Sequence, residues 1–182
     1  IKLSTFLLST TPNAVKRFYY LLIIFFTFFS CKVSTKLEER IENYILCKFC
    51  GADAADLEYI IFMKSPFSVK IENSTLSGKV VSTQTLKNPS NILFEVITVK
   101  KSNCVGLGEW HKSDTWFPGF AWKICVCQHW GHFLGWIFEP IESAGRNRNK
   151  ASDKGFYALV SENILTEQFS NSLLMIPKSY QS

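Results

Sequence analysis

The sequence is short of what most enzyme chemistries require. It has three histidines in 182 residues, and no Ser-His-Asp set, paired-carboxylate pattern or glycine-rich phosphate loop emerges from it, so nothing supports a hydrolase or a nucleotide enzyme. Charge is also scarce, at 19% against 47% hydrophobic residues, a balance that favours a packed fold over disorder. Acidic residues are absent from the first 31 positions, where Lys2, Lys16 and Arg17 lie. Beyond that segment 17 basic residues face 15 acidic ones, and a net charge of +2 is too weak to imply a nucleic-acid partner.

An apolar run long enough to span a membrane is lacking as well. The run Phe18–Phe29 (FYYLLIIFFTFF) follows Lys16-Arg17 and is about a dozen residues long, which suits the core of a secretory signal, whereas a membrane span needs about 20. The expected organisation is an N-terminal extension and signal peptide over 1–31, a linker or short helix over 32–45, one domain over 46–178 and a tail over 179–182. On this reading the protein is extracellular, with no stable membrane insertion after signal cleavage; the alternative for the same run is a short signal anchor.

Tryptophan is missing from 155 positions and concentrated in the other 27, where Trp110, Trp116, Trp122, Trp130 and Trp136 fall. Indoles present flat, electron-rich faces, and several gathered around proline and glycine turns can wall a pocket for a flat or cationic ligand. The plainer alternative is an aromatic core.

In a secretory compartment thiols pair or hold metal. Cys47-Lys-Phe-Cys50-Gly51 has the spacing with which two thiolates grip one zinc, and Cys127-Gln-His129-Trp130-Gly-His132 offers a second half. A four-coordinate zinc site would take Cys47, Cys50, Cys127 and one histidine, with His132 carried as the expected ligand and His129 as its competitor. Cys104 and Cys125 would then be left to pair as a disulfide.

Between the cysteine clusters the pattern is β-rich. Strands are expected at Leu57–Met63, Phe67–Ile71, Lys79–Ser82, Ile92–Val99, Ala121–Cys127 and Leu134–Phe138, which are rich in β-branched and aromatic residues. Pro118-Gly119 suits the centre of a type II turn, and Asn88-Pro89-Ser90-Asn91 also reads as a turn. Lys36–Leu46 and Ser161–Phe169 are the expected helices, and Gly145–Gly155 an exposed loop. Asn73-Ser-Thr75 is a glycosylation sequon, meaningful only in a secreted chain.

Taken in order, Cys47-x-x-Cys50, Asn88-Pro89, Trp116-Phe-Pro-Gly-Phe-Ala-Trp122, Cys127 and Leu134-Gly-Trp136-Ile-Phe138 resemble the CULT domain, the thalidomide-binding domain family, over about residues 46–178. A signal segment followed directly by the domain resembles the secreted, single-domain branch. The resemblance implies a mostly β protein with a β-tent fold, two antiparallel sheets pinned by zinc. It also implies a cage of Trp116, Trp122 and Trp136, with Phe138 at the base and Asn88-Pro89 at the rim, and the neighbouring Trp110 and Trp130 are assigned to packing and not to the cage. A cyclic imide would enter it and hydrogen-bond to main chain between Asp114 and Trp116.

Three residues depart from the family pattern. Trp130 stands where a fourth zinc cysteine is usual, Phe133 where a histidine often lies ahead of the Gly-Trp pair, and Asp114 where a histidine lines the pocket. A carboxylate at Asp114 disfavours anionic ligands and favours cationic ones.

The resulting expectation is a non-enzymatic, zinc-stabilised binding module for a small imide-like, flat or cationic ligand. Two alternatives belong to other classes. One is an oxidoreductase like the B-type methionine sulfoxide reductases, whose fold the β-tent also resembles and which needs a nucleophilic thiol. The other is a structural or protein-interaction domain with a vestigial pocket.

Overall fold

A computed structural model describes residues 43–145 and 148–173. The expected signal peptide, most of the linker and the C-terminal tail lie outside the described residues. The structure is mostly β, built from two antiparallel sheets. Its strands are β1 (Tyr44–Cys47), β2 (Asp53–Asp56), β3 (Ile60–Ile61), β4 (Ser68–Leu76), β5 (Lys79–Lys87), β6 (Leu93–Val99), β7 (Val105–His111), β8 (Phe120–Val126), β9 (Phe133–Pro140), β10 (Phe156–Val160) and β11 (Ile164–Thr166). Among the described residues one short helix, α1 (Glu167–Ser172), follows.

The smaller sheet has the order β11-β1-β2. The larger runs β4-β5-β6-β10-β9-β8-β7, with β3 paired to β6. Its central strands alternate between two cores, because successive side chains of a strand point to opposite faces. From β10, Tyr157 and Leu159 pack with Ile45, Ala55, Leu57, Ile97, Cys125 and Ile137. Phe156, Ala158 and Val160 pack on the other side with Leu86, Val96, Trp116, Phe117 and Phe138. It is this second, aromatic face that carries the candidate cavity.

Turn chemistry sets the register of the strands. Ser77 and Gly78, both with positive φ (47° and 76°), join β4 to β5 in the two-residue hairpin turn whose twist matches that of its strands. At the other end of the sheet the Phe120 N–H donates to the Phe117 carbonyl (3.0 Å) and Gly119 sits at φ 88°, the type II turn expected of Pro118-Gly119. Edge strand β4 is largely exposed and carries Lys70 and Glu72, paired at 2.7 Å, along with Asn73 of the sequon. Charges of this kind discourage edge-to-edge association.

Several expected elements differ. Residues 44–46, assigned to a helix, are strand, because Tyr44–Cys47 pairs with β2 on one side and β11 on the other. The strand expected over 57–63 shrinks to Ile60–Ile61, since the Asp56 carboxylate accepts from the Glu58 N–H (2.8 Å) and turns Leu57–Tyr59 into a 3-10 helix. Ser161–Phe169 divides into a 3-10 turn, β11 and the start of α1. Strands β2, β7 and β10 were not anticipated.

The loop after β9 is tied down in its described part. Buried Lys123 donates to the Arg148 carbonyl (3.1 Å), and buried Glu139 accepts from the Ser152 N–H (2.7 Å). The Gly106 and Ala151 N–H groups complete the anchorage through Asn149 and Tyr157. A disulfide joins Cys104 to Cys125 with Cα atoms 5.7 Å apart, the pairing left over once the other cysteines are assigned to metal.

Candidate functional site

Strands β8 and β9 pair so that Trp122 lies opposite Phe138 and Ile124 opposite Trp136. Residues two apart share a face, so Trp122, Trp136 and Phe138 all project from the aromatic side of the sheet. Gly135 allows this arrangement: its φ is 151°, and a Cβ there would collide with the Ala158 carbonyl of the neighbouring strand. Trp116 arrives from the segment that precedes the Pro118-Gly119 turn.

Each ring is held by its surroundings. The Trp116 indole N–H donates to the Lys87 carbonyl (2.7 Å), and its ring meets Trp136 edge-on with centroids 4.6 Å apart at 78°. Trp136 is braced by Phe94 (5.0 Å, 81°) and Phe133 (4.9 Å, 80°), both in the edge-to-face geometry that aromatic quadrupoles favour. Trp122 donates to the Ser113 carbonyl (2.8 Å) and stacks on His111 (4.4 Å, 25°). Phe138 is 1% exposed and stacks on Phe156 (5.2 Å, 15°). Burying a side chain of this size stabilises the fold by about 1.5–3 kcal/mol, so the floor of the space belongs to the core.

The rim is a turn. The Asn88 side-chain oxygen accepts from the Ile92 N–H (2.8 Å), the Asn91 N–H donates to the Asn88 carbonyl (2.9 Å), and Asn91 adopts φ 65°. Across from it Asp114 sits at φ 53°, a left-handed conformation that Asp tolerates better than most residues. Together Asn88, Pro89, Ser90, Asp114, Trp116, Trp122, Trp136 and Phe138 line a cavity of about 240 Å³. The seven residues singled out from sequence as ligand-contacting thus surround one space, and Ser90 is an addition. The bracing residues Phe94, Phe133 and His111 were missed as a group. Their signal was an aromatic or imidazole ring at the right strand parity, which is visible only once strand order is known.

Of the main-chain polar atoms between Asp114 and Trp116, the Trp116 carbonyl already accepts the Ser65 hydroxyl (2.6 Å). Trp110, assigned to packing, does pack against the other core and lies under the Lys123 ammonium (4.9 Å). Trp130, also assigned to packing, is instead 74% exposed, because the turn that carries it projects it into solvent.

The second cluster joins two turns from distant parts of the chain. After β1, the Cys47 N–H donates to the Ala52 carbonyl (2.8 Å) and the Gly51 N–H to the Cys47 carbonyl (2.8 Å), with Gly51 at φ 70°. After β8, the Cys127 N–H donates to the His132 carbonyl (2.7 Å) and the Gly131 N–H to the Cys127 carbonyl (2.8 Å), with Gly131 at φ 68°. The sulfurs of Cys47, Cys50 and Cys127 lie within 4.8 Å of one another, and those of Cys50 and Cys127 are 3.5 Å apart. All three are free thiols, and thiolates this close suit a soft or borderline ion such as zinc.

Burial pushes the Cys47 thiol up to about 11 despite N–H groups of Phe49 and Cys50 aimed at it. Burial opposes ionisation of Cys127 too, but there the N–H groups of His129 and Trp130, together with the other two thiols, win and bring its pKa down. The expected fourth ligand lies outside this group. Among the described residues neither His132 nor His129 joins the cysteine group. His132 follows the glycine of its turn, and its ring stacks on Phe49 (4.5 Å, 18°) instead.

The fold and these two sites define a class: a mostly β domain with a three-thiol group able to hold a metal ion and, apart from it, an aromatic-walled cavity. Known proteins narrow the class. The chain is similar to cereblon of Xenopus tropicalis, 38% identical over 55 residues that cover 30% of this chain and 12% of that protein. Over 124 residues it is 27% identical to cereblon of Drosophila yakuba, covering 64% of this chain and 19% of the relative. Cereblon of Drosophila melanogaster gives 26% over 121 residues, with 63% and 19% covered. The chain therefore spans 12 to 19% of the length of these relatives. No protein-family model matches it. Among the described residues no helix is long and apolar enough to cross a membrane.

Proposed function

We propose that this protein is a secreted, zinc-stabilised binding module that captures a small cyclic imide-like, flat or cationic ligand between Trp116, Trp122 and Trp136. The observation that carries this reading is the single cavity of about 240 Å³ walled by those three indoles and floored by Phe138. Pockets for drug-sized ligands occupy about 300–1,000 Å³, so this one is matched to a single ring. Its walls are pinned by hydrogen bonds and ring contacts that need no guest, which lowers the ordering cost of binding. The CULT resemblance and the similarity to cereblon support an imide as the ligand class. Asp114 at the rim adds a preference for ligands carrying positive charge.

The three thiols support zinc as the pin between the sheets, with Cys47 closing β1 of the small sheet and Cys127 following β8 of the large one. The Cys104–Cys125 disulfide supports an oxidising compartment and hence secretion. Against the oxidoreductase alternative stands the placement of sulfur. Of the described cysteines two are in the disulfide and three in the metal group, and none lines the aromatic cavity.

The test is a titration of tryptophan fluorescence with glutarimide. Saturable quenching at one site per chain is expected. Absence of saturation up to millimolar ligand, in protein whose near-ultraviolet circular dichroism shows fixed aromatic packing, sinks the reading.

A further inference from the structure

The two cysteine turns are structural equivalents, each residue of the second lying 80 positions after its counterpart in the first. Both have the N–H of the first cysteine donating to the carbonyl five residues on, and a left-handed glycine whose N–H returns to that cysteine's carbonyl. In both, the N–H groups two and three residues after the cysteine point at its sulfur. The equivalence pairs Cys47 with Cys127, Gly51 with Gly131, and Cys50 with Trp130. It also pairs His129 with Phe49 and His132 with Ala52, neither of which supplies a ligand in the first turn.

One turn therefore delivers two sulfurs and its twin only one. The position that would supply the fourth holds an indole, whose nitrogen is a donor with no lone pair for a metal. That indole is 74% exposed, so it does not cap the group, and Cys50 is only half-buried, so the open side is reachable from solvent. Zinc completes four coordination, and where a protein supplies three ligands the fourth comes from outside it.

We propose that the metal centre is a three-thiolate site whose fourth position, on the Trp130 side, accepts a small soft donor from solution, a low-molecular-weight thiol foremost. This rests on the metal-binding reading above and goes beyond it by assigning an exchangeable ligand site to the ion itself. With a metal held by Cys47, Cys50 and Cys127, taking up the thiol would involve no redox step: the incoming thiol would lose its proton to buffer and occupy the position that the three sulfurs leave open.

The test uses the full chain reloaded with cobalt(II), whose thiolate charge-transfer and ligand-field absorptions report the donor set. Adding 2-mercaptoethanol, with a count of free thiols confirming that the buried Cys104–Cys125 disulfide stays closed, should change both bands saturably in the parent protein and in Trp130→Ala. In Trp130→Cys the bands should resemble the thiol-saturated parent before any addition, should not respond to added thiol, and metal should be lost to a chelator at least tenfold more slowly. If the parent takes up one cobalt but its spectrum ignores thiol and changes in His129→Ala or His132→Ala, the protein supplies the fourth ligand; the proposal then falls while the metal-binding reading stands. If parent and Trp130→Ala take up no cobalt or zinc, both fall. Trp130→Ala keeps the test decisive should Trp130→Cys misfold.

Discussion

Removing Trp122 separates binding from folding more cleanly than any other change in the cavity. Its ring is one wall of the space, half-buried, anchored by a hydrogen bond to the Ser113 carbonyl (2.8 Å) and by the stack on His111 (4.4 Å). Truncation of an interface tryptophan that behaves as a hot spot costs about 2 kcal/mol or more of binding. At about 1.4 kcal/mol per tenfold, Trp122→Ala should weaken glutarimide binding roughly 30-fold. Trp122→Phe keeps a flat wall and gives up the indole hydrogen bond to the Ser113 carbonyl, which is made without a guest, so its cost of about 1 kcal/mol should fall on stability, and the loss of affinity should be smaller than that of Trp122→Ala. Both should be measured by isothermal titration calorimetry, which does not depend on the tryptophan being removed. Thermal unfolding without ligand gives the separate cost to stability, about 2–3 kcal/mol for Trp122→Ala, below the 3–5 kcal/mol typical of fully buried rings. A Trp122→Ala protein that unfolds cooperatively yet binds within about twofold of the parent would refute the assignment of this ring to the ligand.

Replacing Cys104 and Cys125 by Ser opens a loop of 21 residues, for which chain entropy gives about 3 kcal/mol of lost stability, readable as a lower urea midpoint with a somewhat steeper slope, because the unfolded chain is less compact without the cross-link. Glu139→Gln probes the tie of the loop after β9. Burial alone would raise the Glu139 pKa, but hydrogen bonds from Ser152 and Ser143 and the charge of Arg148 bring it below its ordinary 4.5. Its stabilisation is therefore fully present above pH 4.5 and is lost as pH falls through the lower folded-state value; the gap between parent and variant in urea unfolding should be widest near neutrality and close in acid. Stripping zinc with a chelator should lower the thermal midpoint by several degrees, since an ion present at 100 times its Kd contributes about 2.7 kcal/mol; one equivalent of zinc should restore it. Asp114→Asn should leave glutarimide affinity unchanged and weaken an amine-bearing analogue by about two- to fivefold, the range of an exposed charge pair, with competition titration as the readout.

What could be read from the sequence alone were residues whose local chemistry permits few alternatives. Pro118-Gly119 fixes a type II turn wherever it is placed, Cys47-x-x-Cys50-Gly51 brings two sulfurs to one point, and the parity of Trp136 and Phe138 along one strand puts both on the same face. Strands with half-exposed alternation or marked β-branching, such as β6 and β8, were legible for the same reason. Strand β10 was not, because Phe156–Val160 is buried on both faces and shows no alternation to detect. The stretch from Lys36 was expected to continue as helix through Leu46, and pairing on two sides makes Tyr44–Cys47 a strand.

Tertiary structure alone decided which residues meet across long separations. The sulfurs of Cys50 and Cys127 are 77 residues apart in sequence and 3.5 Å apart in space. Whether His132 or solvent faces the third thiol depends on how two turns from different sheets are juxtaposed, and the exposure of Trp130 follows from the same juxtaposition. Local pattern encodes how a segment turns and which face it offers. The choice of partner is made by closing long loops, whose entropy cost depends on chain length and not on the residues that finally touch.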